Sequence, residues 1–219
     1  ELRTMRDIKI KLFEQHPETR EMLLATRFKH IADIEPNAMI TENYEKICEK
    51  TALGCQYEWL ARFAHEQRIQ NLELAVGQPD GALYQILAPF VIRSPYSQNT
   101  FVLDEKFCGL AVYELFKAFA LPLFNLSKMQ MKKISQENGY CDLMSLTWFC
   151  HQPWKNRPCG VCRPCICTRG EGVGRSFPLA SRLRYMFYIR LGMKANFHTL
   201  FHSVKKVGYF AGSLKSNKM

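Results

Sequence analysis

The chain has 219 residues, 47% of them hydrophobic and 23% charged, the balance of an ordinary globular protein long enough to bury a substantial core. No apolar run approaches the roughly 18 residues of a membrane-spanning helix, and no charged-then-apolar signal opens the sequence. The net charge of +10 is uneven: residues 169–219 carry five arginines, five lysines and a single acid, Glu171, so the nearly neutral body does not read as a nucleic-acid-coating protein.

In chain order, Arg3 to about Gln15 has helical spacing, with Met5, Ile8, Leu12 and Phe13 toward one side, and Pro17 interrupts it. A second helical pattern follows, with Met22, Leu23, Phe28 and Ile31 apolar. After the loop at Pro36-Asn37, a helix is expected over Glu42–Leu53 with Gly54 as its stop, then another over Gln56–Arg68. Leu72–Val76 reads as a short buried strand leaving through Gly77, Pro79 and Gly81, and Ala88–Ile92 as a second strand. Asp104 is placed to cap a helix running to about Ala118 that buries Phe107, Ala111 and Leu115. Phe119–Asn125 is a compact strand candidate. Ser127 and Gln130 then have the spacing of a capping box, opening a helix from Lys128 that stops at Asn138-Gly139. Ser145–Phe149 reads as a strand leading into a run of cysteines. Strands and helices in alternation favour α/β architecture with some parallel pairing.

Four of the nine cysteines, Cys150, Cys159, Cys162 and Cys165, follow an eight-two-two spacing. Two-residue gaps let sulfurs from one tight turn reach one metal, Gly160 permits the turn, and Cys150 closes the shell from across the loop. Four thiolates leave no place for water, so the ion is expected to be structural Zn²⁺. A disulfide pair, free thiols or a cubane iron–sulfur cluster are the other uses of such a set. His151 and Cys167 are adjacent competitors, Cys167 reading as a bystander. Cys48, Cys55, Cys108 and Cys141 read as buried small hydrophobes. His30, His65, His198 and His202 have no second ligand at useful spacing.

At these residues the chain resembles the 7-cyano-7-deazaguanine synthase family. TWFC, then RPCGVCRPC, is similar to that family's C-terminal zinc site, and PLFNLSKMQMKKISQENGYCDLMSLTWFCH, from Pro122 to His151, looks like its strand, its Lys-bearing capped helix and its approach to the metal. The likeness runs from Phe119 to about Pro178 and extends weakly over Glu42–Val76, on GCQYEWLARFA and LELAVG; the CRPCICTRGEGVGRSFP segment looks like divergent, defence-associated relatives. The resemblance implies a Rossmann-like α/β fold of the adenine nucleotide alpha hydrolase type, the PP-loop ATPase fold. It also implies a cytoplasmic ligase that spends ATP to activate a 7-deazaguanine carboxylate for attack by ammonia, giving the amide and, after a second activation, the nitrile of a queuosine-type pathway. The family's Ser-Gly-Gly-X-Asp-Ser loop, which cradles phosphate with backbone N–H groups, is not found around any of the twelve glycines. Gly170-Glu-Gly172-Val-Gly174 does not join a strand to a helix. With Glu1 in place of Met, the expectation is an incomplete fold: a C-terminal portion whose nucleotide half lies upstream or in a partner, or a degenerate relative.

The expected organisation is a helical lead over 1–40, the remainder of a synthase-like domain over 41–149, the four-cysteine zinc region over 150–168 and a basic, aromatic tail over 169–219. Lys128, at a helix start after a strand, is a candidate catalytic cation for a phosphate or carboxylate. Gly77 and Asp80 follow a strand end, where α/β ligands bind, and Asp80 is placed to accept from a purine N–H. Trp148 and Trp154 flank the metal loop and offer stacking surfaces; a solvated first-turn role competes for Lys128, while a polar turn role is the simpler one for Asp80 and packing the simpler one for Trp148. The tail from Leu179 to Phe210 mixes bases with aromatics, a pattern that binds RNA, an acidic partner or an anionic membrane, or packs as an ordinary helix. A zinc-ribbon nucleic-acid module and a non-catalytic scaffold are the alternatives to a ligase, and homo-oligomerisation is open.

Overall fold

A computed structural model describes residues 2–78, 81–170 and 177–190. The architecture is mixed α/β, mostly helical with two small sheets. In chain order the elements are α1 (Leu2–Gln15), α2 (Thr19–Met22), α3 (Ala38–Cys48), α4 (Gln56–Glu66), β1 (Leu72–Glu73), α5 (Gly81–Leu87), β2 (Val91–Arg93), β3 (Phe101–Leu103), α6 (Ala111–Phe116), β4 (Phe119–Ala120), α7 (Lys128–Glu137), α8 (Cys141–Leu146), α9 (Arg163–Gly170) and α10 (Leu179–Arg190). They fall into two compact units, one spanning Lys11–Cys141 and the other formed by Glu1–Ile10 with Asp142–Met219.

In the Lys11–Cys141 unit, β1 and β4 pair in parallel, Leu72 opposite Phe119 and Glu73 opposite Ala120. β2 and β3 pair antiparallel, and a bridge from Phe101 to Leu121 ties β3 to the residue after β4. Leu87, Leu115, Phe116, Phe119 and Leu121 are buried at the centre. Phe116 meets Tyr57 and Phe119 at ring distances of 5.9 and 5.8 Å. The parallel pairing continues past β1, where the Gln78 N–H donates to the Leu126 carbonyl at 2.8 Å and Gln78 bridges to Ser127. That contact sets the N-terminus of α7 against the exit of β1. The capping box is present: Ser127 Oγ accepts from the Gln130 N–H at 3.2 Å and Gln130 Oε1 from the Ser127 N–H at 2.8 Å. Gly139, at φ +74°, supplies the stop.

Several elements differ from the sequence reading, each for a physical reason. The helix expected around Met22–Ile31 is one turn, α2, followed by exposed extended chain and a 3₁₀ turn at Ile31–Asp33. Polar groups of α4 hold this backbone out of helix: Arg62 donates to the carbonyls of Ile34 (2.7 Å) and Glu35 (3.0 Å), and Glu66 accepts the Glu35 N–H and pairs with Lys29. α3 starts earlier than expected because Asn37 caps the Ile40 N–H at 3.1 Å, and it ends at Cys48, well before Gly54. Ala88–Phe90, with Pro89, is 3₁₀, so the second strand is confined to β2.

The helix expected over Asp104–Ala118 is broken in two. Asp104 caps only a 3₁₀ turn, and Gly109, at φ +86°, redirects the chain before α6 while its N–H donates to Glu114. The Phe119–Asn125 strand stops after Leu121, where Pro122 has no N–H to donate and the chain folds into turns. Ser145–Phe149 is not a strand. Its first residues complete α8, where Ser145 Oγ and Thr147 Oγ1 donate back to the carbonyls of Asp142 and Met144. Cys48 is half-buried and packs against the core of this unit, Cys141 is half-buried, and Cys55 and Cys108 are exposed rather than buried as expected.

Phe116→Ala removes the aromatic side chain at the centre of the Lys11–Cys141 core without relieving any strain. It is expected to cost about 3–5 kcal/mol in urea-induced unfolding followed by circular dichroism.

Candidate metal centre

Cys150 ends the irregular stretch after α8. The eight residues that follow fold back through a tight turn in which Lys155 and Asn156 take φ values of +50° and +57°. Trp154 and Arg157 then exchange two N–H···O bonds of 3.0 Å. This is the positive-φ geometry of a two-residue hairpin turn, and it returns the chain so that the Cys159 N–H donates to Cys150 Sγ at 3.2 Å. Gly160, at φ +87°, turns the backbone again, and the N–H groups of Val161 and Cys162 donate to Cys159 Sγ at 3.4 and 3.2 Å. Cys165 follows in the first turn of α9.

The four sulfurs all lie within 4.8 Å of one another. Cys159 and Cys165 are 3.8 Å apart and Cys150 and Cys162 3.9 Å. A disulfide requires about 2.05 Å, so these thiols are not paired. A tetrahedral ion with metal–sulfur bonds of about 2.3 Å places its ligands roughly 3.8 Å apart, which the observed spacings match. Cys150, Cys159, Cys162 and Cys165 are 2%, 6%, 6% and 0% exposed. The set therefore fits a metal ion such as zinc, held by four protein ligands in a closed, structural shell. His151 and Cys167 are both exposed and outside it.

The electrostatics point the same way. The hydrogen bond shared with Cys165, together with the backbone N–H groups of Val161 and Cys162, pulls Cys159 down to about 4. Cys165 is pushed up by that same hydrogen bond and by burial, and Cys150 is pushed up by burial. Buried thiols that share hydrogen bonds at these distances form a site where a cation can replace the shared protons.

The remaining predicted residues divide between the two units. Gly77 is buried at the exit of β1, and Lys128, half-buried, opens α7; the Gln78–Ser127 bridge brings these two segments together. Asp80 lies outside the described residues, as do Gly172, Gly174 and the tail beyond Arg190. Trp148 belongs to the metal-bearing unit. Its indole N–H donates to the Cys150 carbonyl at 2.7 Å and its ring packs on the cysteine cluster, the packing role rather than an open stacking platform. Trp154 is 56% exposed, with the Arg184 guanidinium 4.5 Å from its ring centroid.

The sequence reading missed the second layer around the cysteines. Arg169 lies one turn beyond Cys165 on α9, with its guanidinium carbon 4.0 Å from the Phe177 ring centroid and 4.6 Å from that of Tyr185. Its buried Nε has no hydrogen-bond partner among the described residues. Ser181 is fully buried, its hydroxyl donating to the Pro158 carbonyl. The helical i, i+4 spacing of Cys165 and Arg169 was the one available signal; the aromatic and serine partners come from α10 and its lead-in. No protein-family model matches this chain, and no curated protein or solved structure is significantly similar to it.

Cys162→Ser is expected to lose the metal, measured as metal per chain by elemental analysis, and to lower thermal stability, because metal-binding energy is folding energy at such sites. Gly160→Ala tests the second layer. An added Cβ would lie 2.3 Å from the Ser181 carbonyl oxygen, at a φ that L-residues rarely adopt. Hydrogen exchange in residues 179–190 is expected to accelerate by about tenfold or more while the four cysteines are left in place.

Proposed function

We propose that this chain is a divergent relative of the 7-cyano-7-deazaguanine synthases, with structural Zn²⁺ on Cys150, Cys159, Cys162 and Cys165. The observation that carries the reading is the closed four-thiolate shell, built from the eight-two-two spacing and approached through Thr147-Trp148-Phe149-Cys150. The parallel β1–β4 pair and the capped helix α7 agree with a fragment of a Rossmann-like PP-loop fold. In this proposal the ligand is a 7-deazaguanine carboxylate lying beyond the carboxyl ends of the parallel strands, near buried Gly77 and the start of α7. The carboxylate oxygen attacks the α-phosphorus of ATP and pyrophosphate leaves. Ammonia then attacks the acyl carbon and AMP leaves with its electron pair, giving the amide; the amide oxygen then attacks the α-phosphorus of a second ATP, pyrophosphate leaves, and AMP departs carrying that oxygen as the nitrogen loses its two protons, giving the nitrile. The Lys128 ammonium stabilises charge on the phosphate or carboxylate, and Asp80 accepts from a purine N–H.

Phosphate binding needs converging backbone donors, which a lone lysine does not replace. The 219 residues contain no Ser-Gly-Gly-X-Asp-Ser. Activity therefore depends on a phosphate-binding segment supplied in the same polypeptide or by a partner. The zinc-ribbon alternative draws little support from the described residues around the cysteines, where the β pairing is the single Trp154–Arg157 bridge.

The test is pyrophosphate release from ATP and 7-carboxy-7-deazaguanine. Residues 1–219 alone are expected to give none. With the phosphate-binding segment supplied, Lys128→Ala is expected to slow release about 100-fold with little change in thermal midpoint. Robust release by residues 1–219 overturns the dependence on a second segment. No release from the completed protein, with amine donors present, favours a non-catalytic scaffold.

A further inference from the structure

Helix α10 is turned inside out. Its inward side carries polar residues: Ser181 is fully buried, Arg184 lies over Trp154, and Tyr185 stacks on Arg169. At about 100° per residue, Tyr188 continues this inward stripe. The opposite half of the circumference carries Leu179, Leu183, Met186, Phe187 and Ile189, each between 45% and 70% exposed. Arg182 and Arg190 are exposed on the same half, and the helix has no acid. Single exposed leucines are ordinary, but five large apolar side chains on one face call for a covering surface.

Charge and shape decide which. A second copy would bring Arg182 and Arg190 against their own kind, with ten basic residues and one acid between Arg169 and Met219 on each side. Nucleic acid offers phosphates to the arginines and nothing to the five apolar side chains. A protein groove takes a narrow apolar stripe at i, i+3, i+4 and i+7, whereas this face spans about half the helix and lies on the outside of a docked element. An anionic bilayer surface answers both features: its headgroup–acyl boundary accepts the apolar half of a helix lying in plane, and its phosphates meet the flanking arginines. No helix among the described residues is long and apolar enough to cross a membrane.

We infer that the outward face of α10 is a docking surface for anionic lipid, with Leu183, Met186 and Phe187 entering the interface and Arg182 and Arg190 engaging headgroup phosphates. The inference stands apart from the ligase reading.

The test is flotation of the metal-loaded full chain with vesicles of phosphatidylcholine alone or containing about 30% phosphatidylglycerol. The chain is expected to float with the anionic vesicles only. The double variant Leu183→Asp, Phe187→Asp is expected to bind them at least about tenfold more weakly, with metal content and circular dichroism unchanged. If that variant loses its metal, Arg182→Gln with Arg190→Gln takes its place and is expected to weaken binding about tenfold as well. Wild-type binding by the well-folded variant overturns the inference. So does equal binding to neutral vesicles, or failure to bind anionic vesicles by a chain that instead captures tRNA, an acidic protein or its own remaining residues on this face.

Discussion

Four sulfurs buried within 4.8 Å of one another cannot all ionise without a cation between them. That constraint organises the described residues between Asp142 and Arg190. Its described apolar packing is modest: Trp148, Phe149, Val161 and Phe177 lie against the cysteines themselves. There is no second core among the described residues here to define the fold, so the four-cysteine cluster occupies the position that a hydrophobic centre has in a larger domain. The backbone is shaped for the sulfurs, with N–H groups of Cys159, Val161 and Cys162 turned onto them by a hairpin turn and one left-handed glycine. Such donors favour thiolate over thiol, which is the state a metal binds.

The Lys11–Cys141 unit is held differently. Its strands are two or three residues long, too short for sheet hydrogen bonding to dominate, and its centre is aromatic and aliphatic packing around Phe116, Phe119 and Leu121. At the exit of β1 the Gln78–Ser127 bridge sets the first turn of α7 beside buried Gly77. The cap matters there because Ser127 and Gln130 satisfy each other's groups and fix where the helix begins.

What could be read from the sequence was what is encoded locally. The cysteine set is local: three of its four members lie within seven residues, and spacing alone brings them to one ion. The capping box, the Asn138-Gly139 stop and the strand starts at Leu72 and Phe119 were legible for similar reasons, whereas the parallel pairing of those two strands is a tertiary fact. The failures are tertiary. Nothing near Met22–Ile31 announces that Arg62 and Glu66, some thirty residues on, will hold the following backbone extended. Apolar spacing across Asp104–Ala118 concealed the break at Gly109, and β-rich composition at Ser145–Phe149 was overruled by side-chain hydroxyls closing a helical turn. The apolar neighbourhoods of Cys55 and Cys108 said nothing about which way those side chains face.

The orientation of α10 shows how the local and tertiary levels meet. Its sequence, LASRLRYMFYIR, sets basic residues on both sides of the helix and so gives no clear inward face by itself. The metal loop supplies the missing information. Gly160 approaches the Ser181 backbone so closely that no side chain fits between them, and a small polar residue is what can lie there and still donate to the Pro158 carbonyl. With Ser181 fixed inward, helical geometry places Arg184, Tyr185 and Tyr188 on the same side, where Arg169 and Trp154 provide cation–π partners. The large aliphatic residues are thereby turned outward. An ion site that organises a small unit thus also determines which surface that unit presents: an apolar face bearing arginines, in the most basic part of the chain.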